Sequence, residues 1–141
     1  MKIEELFLLA TDISYNLHHK IEVCKICKDL SIFNVELLQT IPVFIDIYAI
    51  KHIIKKHGNQ EFEKSRGQDP IKLDDFYLIA ELVNDPNSII FRGKNKLKQD
   101  CYEFSKLFNG RNELHCIFSV RVNKNGITLM LETMYKKRAF M

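Results

Sequence analysis

The stretch ELHCIFSVRVNKNGITLMLETMYKK, residues 113–137, decides the fold. In its first half Leu114, Cys116, Phe118, Val120 and Val122 fall on one side of an extended chain, leaving His115, Ser119 and Arg121 on the other. NKNG at 123–126 is a hairpin turn, and the second half again reads as a strand. There Ile127, Leu129, Leu131, Thr133 and Tyr135 alternate with Thr128, Met130, Glu132, Met134 and Lys136. Both sides begin apolar and become polar toward the C-terminal end, where a site can form.

Working outward, SIIFRG (88–93) and QDCYEFSKLF (99–108) have the same period, with a second hairpin turn at NGRN, 109–112. Four strands on short connections predict an antiparallel meander, one face of which needs a covering layer. Upstream the period is helical. Asp46 stands as N-cap before Ile47, Ala49, Ile50, Ile53 and Ile54, and Gly58 is a C-cap glycine that leaves His57 in the last turn. Pro70 leads into a further helix with Leu73, Phe76, Tyr77, Ile79, Ala80, Leu82 and Val83 on its stripe, stopped by Asn84, Asp85 and Pro86. Residues 3–16 also predict a helix, whereas 19–40 reads as either strand (Ile21, Val23, Ile32) or helix (Val35, Leu37, Leu38). The expected architecture is α+β, N-terminal helices packed on a four-stranded antiparallel β-meander.

With 141 residues, 46% of them hydrophobic, the chain has apolar material for one modest core. Lys and Arg number 21 against 18 Asp and Glu, a net charge of +3, too near neutrality for a protein that coats nucleic acid through overall basicity. The cations are clustered, however, at Lys51/Lys55/Lys56, Lys64/Arg66, Arg92/Lys94/Lys96/Lys98 and Lys136/Lys137/Arg138. Brought together they make an anion site; left apart they are solvated faces. The opening MKIEELFLLATDISYN carries Glu4 and Glu5 in its apolar run, so it reads as neither secretion signal nor membrane span, and the expected location is the cytoplasm. Cys24 and Cys27, in CKIC beside His18 and His19, lack a second ligand pair and read as free thiols, so no metal and no cofactor is expected.

The order HIIKKHG (52–58), a loop ending in GQDPI (67–71), DDFYLIAELVNDPNSI (74–89) and a closing LETMY (131–135) resembles the phage-borne nucleases of the barnase, EndoU, colicin and RelE superfamily. The resemblance covers about residues 43–137. It implies a nuclease domain over 43–138, with 1–42 an N-terminal helical or irregular extension of no assigned role. By that resemblance His57, Thr133 and Tyr135 are the catalytic set, and Arg92 and Lys98 are loosely matched cations. Lys72 departs from the pattern, standing where relatives carry a small hydroxyl residue that caps the helix.

The implied activity is RNA cleavage by 2′-OH attack to a cyclic phosphate, without metal. Such chemistry needs a base near neutral pKa, cations on the phosphorane and an acid for the leaving oxygen. Histidine suits the first task, which points to His57. Arg92, Lys98 or Lys136 can hold the phosphate, Lys55 and Lys56 add substrate-binding charge, and Tyr135 or His115 can be the acid. The expected partner is RNA, with a possible inhibitor or antitoxin protein. The alternative is a catalytically silent module of the same fold that binds RNA or protein.

Overall fold

A computed structural model describes residues 2–11, 19–27, 40–59, 68–110, 112–124 and 126–138. Its elements in chain order are α1 (Ile3–Thr11), β1 (Lys20–Ile26), β2 (Ile41–Asp46), α2 (Ile47–His57), β3 (Gln68–Asp69), α3 (Leu73–Phe76), α4 (Ile79–Asn84), β4 (Ser88–Lys94), β5 (Asp100–Phe108), β6 (Asn112–Asn123) and β7 (Gly126–Arg138). The class is α+β. The four expected strands are present as β4 to β7, each antiparallel to the next.

They are, however, only part of a seven-stranded sheet of order β1-β2-β7-β6-β5-β4, with β3 also pairing with β7. That corrects the expected four-stranded antiparallel meander. The sheet is mixed, because β2 runs parallel to β7 with Val43 opposite Leu129 and Phe44 opposite Met130. Nothing local announces β2: Pro42, a residue that disfavours central strands, sits inside it, paired with Lys25 of β1. Its alternation of buried Ile41, Val43 and Ile45 is short and runs straight into the helix. Of the ambiguous 19–40 region, β1 carries Ile21 and Val23, while Ile32, Val35, Leu37 and Leu38 lie outside the described residues. The same holds for the expected first helix beyond Thr11.

One face of the sheet forms the core. Phe104, Leu114, Cys116, Phe118, Leu129, Leu131 and Met134 meet Leu6 of α1, Ile50 and Ile53 of α2, Phe76 of α3 and Ile79, Leu82 and Val83 of α4. Phe104 and Phe118 pack edge to face with ring centroids 5.4 Å apart, a geometry worth about 0.5–1.5 kcal/mol beyond burial. Side-chain hydrogen bonds latch the helical layer down. Asn84 accepts from the Cys27 N–H at 2.7 Å and donates to the Lys25 carbonyl at 3.1 Å, tying α4 to β1. Asp75 accepts from the Lys72 N–H at 2.8 Å, closing the start of α3 without a hydroxyl cap, and pairs with Lys136 Nζ at 3.0 Å. The single helix expected over 73–83 is two short ones, divided at Tyr77 and Leu78.

At both ends of α2 the capping follows the expectation. Asp46 accepts from the Ala49 N–H at 2.7 Å, and the Gly58 N–H donates to the Ile54 carbonyl at 3.0 Å. Gly58 keeps a right-handed backbone (φ −98°). Its need for glycine is close approach, since a Cβ there would stand 2.6 Å from the Ile54 carbonyl oxygen. Replacement of Asp46 by Ala is expected to lower unfolding free energy by about 1 kcal/mol, read as a shifted urea midpoint. An unchanged midpoint would show that the cap contributes nothing.

Candidate active site

The site lies on the face of the sheet away from the helical core and owes its composition to register. β5 and β6 pair with Ser105 opposite His115 and Glu103 opposite Ile117. β6 and β7 pair with His115 opposite Tyr135 and Ile117 opposite Thr133. Side chains alternate, so Glu103, His115, Thr133 and Tyr135 share that face, whereas Cys116, Met134 and Leu114 point into the core. A bulge sets the rest. The next pair is Phe118 with Leu131, leaving Glu132 as an extra residue. It separates Leu131, which is buried in the core, from Thr133, although plain alternation had placed them together.

The helix α2 supplies the wall. β7 pairs with β2 at Leu129 and Met130 and with β3 at Lys136 and Lys137, and α2 packs against β7 between them. Emerging parallel to β7, the helix takes the place of a strand. Ala49 to His57 climbs about 12 Å at helical rise, close to the roughly 13 Å that Leu131 to Tyr135 covers at strand rise. Accordingly Ala49 and His52 line a cleft with Leu131 and Thr133, and the His57 ring centroid lies 5.8 Å from that of Tyr135.

Tyr135 is the centre of the cluster. His115 stacks on its ring at 4.7 Å and 7°, and Lys137 Nζ sits 5.7 Å from its centroid. Its hydroxyl donates to Glu103 Oε2 at 2.9 Å, the oxygen that also lies 2.7 Å from His115 Nδ1. The other imidazole nitrogen of His115 is 2.5 Å from Glu113 Oε1. Glu103 is buried, yet its Oε1 accepts no hydrogen bond among the described residues; Arg92 Nε stands 3.6 Å from it. A carboxylate withdrawn from water needs such partners, so Glu103 organises the phenol, the imidazole and the guanidinium around itself. Burial, and next the hydrogen bond to Glu103, push the Tyr135 phenol well above its ordinary pKa. His52 is shifted the other way, lowered by burial first and then by the charges of Lys56 and His57, against a smaller opposing pull from Glu132.

His57, Tyr135, His115, Thr133 and Arg92 are thus gathered on one face. The Thr133 hydroxyl is buried with no hydrogen-bond partner among the described residues. Lys55 and Lys56 are exposed on the last turn of α2 at the rim. Two expected cations are elsewhere. Lys136 points to the opposite face and is tied to the buried Asp75. Lys98 occupies the β4–β5 turn, where its N–H donates to the Asn95 carbonyl. It lies beyond Asp100, itself five residues along β5 from the His115 partner Ser105, or roughly 17 Å. Glu103 and Glu113 were not anticipated. A signal existed: with NGRN as the turn, Phe108 pairs with Asn112, which sets Glu103 diagonally across from His115. Among the described residues no group of three His, Cys, Asp or Glu side chains is arranged to hold a metal ion. No described helix is long and apolar enough to cross a membrane.

Imidazoles, a phenol, a carboxylate and a guanidinium thus share one face of a mixed sheet backed by helices in an α+β protein. The chain belongs to the phage-Barnase-EndoU-ColicinE5/D-RelE like nuclease3 family, whose model matches residues 21–140. No curated protein and no solved structure matches it.

The Tyr135 shift has a pH signature. A phenol with a raised pKa in the fold keeps its proton where the unfolded chain, near pH 10, loses it. Its contribution is therefore complete below pH 10 and is lost as pH rises through the folded value. Tyr135→Phe is expected to remove the highest-pH phenolate step near 295 nm and to flatten the alkaline fall in stability. A wild-type titration in which all tyrosines ionise together near pH 10 would contradict it.

Proposed function

We propose that the chain is a metal-independent endoribonuclease that cleaves RNA by attack of the ribose 2′-OH on the adjacent phosphorus. The single observation that carries this reading is the convergence of His57 and the Glu103–His115 pair on the Tyr135 ring. In the reaction the 2′ oxygen forms a bond to phosphorus and gives its proton to His57. The bond from phosphorus to the 5′ oxygen breaks, and that oxygen takes the Tyr135 proton, leaving a 2′,3′-cyclic phosphate. Tyr135 suits the acid's part because a phenol holds its proton across the neutral range and the departing alkoxide is the stronger base. His115, each ring nitrogen facing a carboxylate, positions Tyr135 and Glu103 rather than meeting substrate.

Arg92, more than half exposed and only loosely paired, supplies charge to the phosphorane, and the Thr133 hydroxyl, without a hydrogen-bond partner among the described residues, offers it a hydrogen bond. Lys55 and Lys56 draw the backbone of the RNA toward the rim. In the same reading the enzyme acts in the cytoplasm as a phage or mobile-element effector, and an inhibitor protein shields the producing cell.

With labelled RNA and chelator present, the wild-type chain is expected to yield fragments ending in a cyclic phosphate, and His57→Ala to lose this by ~10²-fold. Intact RNA with the wild type would leave a silent binding module as the better description. Replacing Lys55 and Lys56 together by Ala is expected to reduce the slope of log affinity against log salt by about 1.4, the share of two phosphate contacts on a single strand. An unaltered slope would place both lysines off the RNA path.

A further inference from the structure

Where β4 turns into β5, remote from the Tyr135 cluster, the segment KNKLKQD (94–100) carries cations that the chemistry above leaves unused. We propose that this hairpin tip is a second RNA contact, in which Lys96 and Lys98 grip backbone phosphates and Leu97 packs against the sugar or base between them. The inference rests on the ribonuclease reading for the identity of its ligand. It makes the length of the RNA, not its sequence, what this end of the molecule senses.

The tip is held in one shape. The Asn95 side chain accepts from the N–H groups of Leu97 and Gln99, each at 3.0 Å, and its amide donates to Gln99 Oε1 at 2.9 Å. The Asn95 N–H donates to the Gln99 carbonyl at 3.0 Å, and the Lys98 N–H to the Asn95 carbonyl at 2.9 Å. A turn so bonded loses little freedom when a ligand arrives. Lys98 has a left-handed backbone (φ +61°), a conformation that glycine takes freely and lysine only at a cost. The fold gains nothing from a lysine there, which points to a use for the side chain itself.

Charge decides what kind of ligand fits. Asp100 is the only carboxylate in the segment, and it is matched with Lys94 at 2.7 Å. Lys96 and Lys98 are exposed and, among the described residues, form no ion pair, so two like charges close together leave a positive potential that an anionic backbone relieves. Leu97 between them is 73% exposed, an apolar side chain that the turn holds in water. Cations flanking an apolar contact suit a single strand, which offers phosphates and base faces together. β4, at the border of the sheet, passes Arg92 beside Glu103 and then Lys94 before the tip, so positive charge continues outward from the site. Asp100 lies three residues along β5 from Glu103, roughly 10 Å, and the tip lies beyond it. A dinucleotide with its one phosphate at the cut therefore leaves the tip empty, whereas a longer strand reaches both.

The test uses the full chain and labelled single-stranded RNA made uncleavable by 2′-O-methylation, so that binding is read apart from cleavage. Affinity is followed against salt by fluorescence anisotropy for a strand of about 16 nucleotides and for a dinucleotide. The double variant Lys96→Gln/Lys98→Asn is expected to bind the long strand about ten-fold more weakly near physiological salt and to reduce its log–log salt slope by about 1.4, the share of two phosphates. The ratio of long-strand to dinucleotide affinity falls with it. An unaltered slope, or an equal loss for the dinucleotide, overturns the tip contact. Should the double variant fail to fold, Lys96→Gln alone must reduce the slope by about 0.7 or the proposal falls. Vesicles of anionic phospholipid are the rival surface: sedimentation with them that needs Leu97, beside an RNA slope indifferent to both lysines, overturns the RNA assignment. Cleavage of unmodified RNA by the wild type with an unaltered slope in the variant defeats the tip contact alone; lysine-dependent RNA binding with no cleavage defeats the ribonuclease reading alone.

Discussion

The pairing of β6 with β7 governs everything else in the molecule. These are the two longest strands, and their register determines which side chains enter the core and which reach the open face. A slip by one residue would drive His115 and Tyr135 into the helical core and set Cys116 and Met134 against Glu103. Several kcal/mol oppose that, because an imidazole and a phenol buried without their carboxylate partner are costly and Glu103 would be left without its donors. The stacked His115–Tyr135 pair is thus held by the same apolar contacts that hold the core.

A single inserted residue then divides the open face in two. On one side of Glu132 the strand carries Thr133 and Tyr135 toward Glu103, His115 and Arg92; on the other, Ser119 and Arg121 hold the Glu132 carboxylate. Helix α2 spans both parts, with His52 beside the cleft lined by Arg121 and Glu132 and His57 at the Tyr135 ring. Its placement follows from the direction of β2. A strand parallel to β7 must continue alongside it, and a helix begun at Asp46 advances at less than half the rise of a strand. Two histidines five residues apart therefore stay within reach of β7 over the span of Leu131 to Tyr135.

Much of the scaffold was legible because it is governed by local rules. The strands β4 to β7, the turns at 109–112 and 123–126, the Asp46 cap and the glycine after His57 each depend on neighbours a few residues away. That His115, Ser119 and Arg121 share the face opposite the helical core could be read from alternation alone. Alternation failed at Leu131 and Thr133, since a bulge leaves no mark in hydrophobic pattern. It also failed to separate useful cations from structural ones. Lys136 looked like a phosphate ligand, yet it sits on the core side and meets Asp75, sixty-one residues earlier in the chain.

What the sequence by itself determined was a period, a set of turns and an inventory of acids, bases and cations on particular strand faces, all consequences of backbone geometry within a few residues. What only the tertiary structure decided was which of those groups meet: β2 beside β7, α2 along its edge, Glu103 between Tyr135 and His115, and Lys136 turned away. The reason is physical. Pairing partners far apart in the chain are selected by the burial of whole faces and by the need of buried charges for partners, and neither quantity exists until the layers have come together.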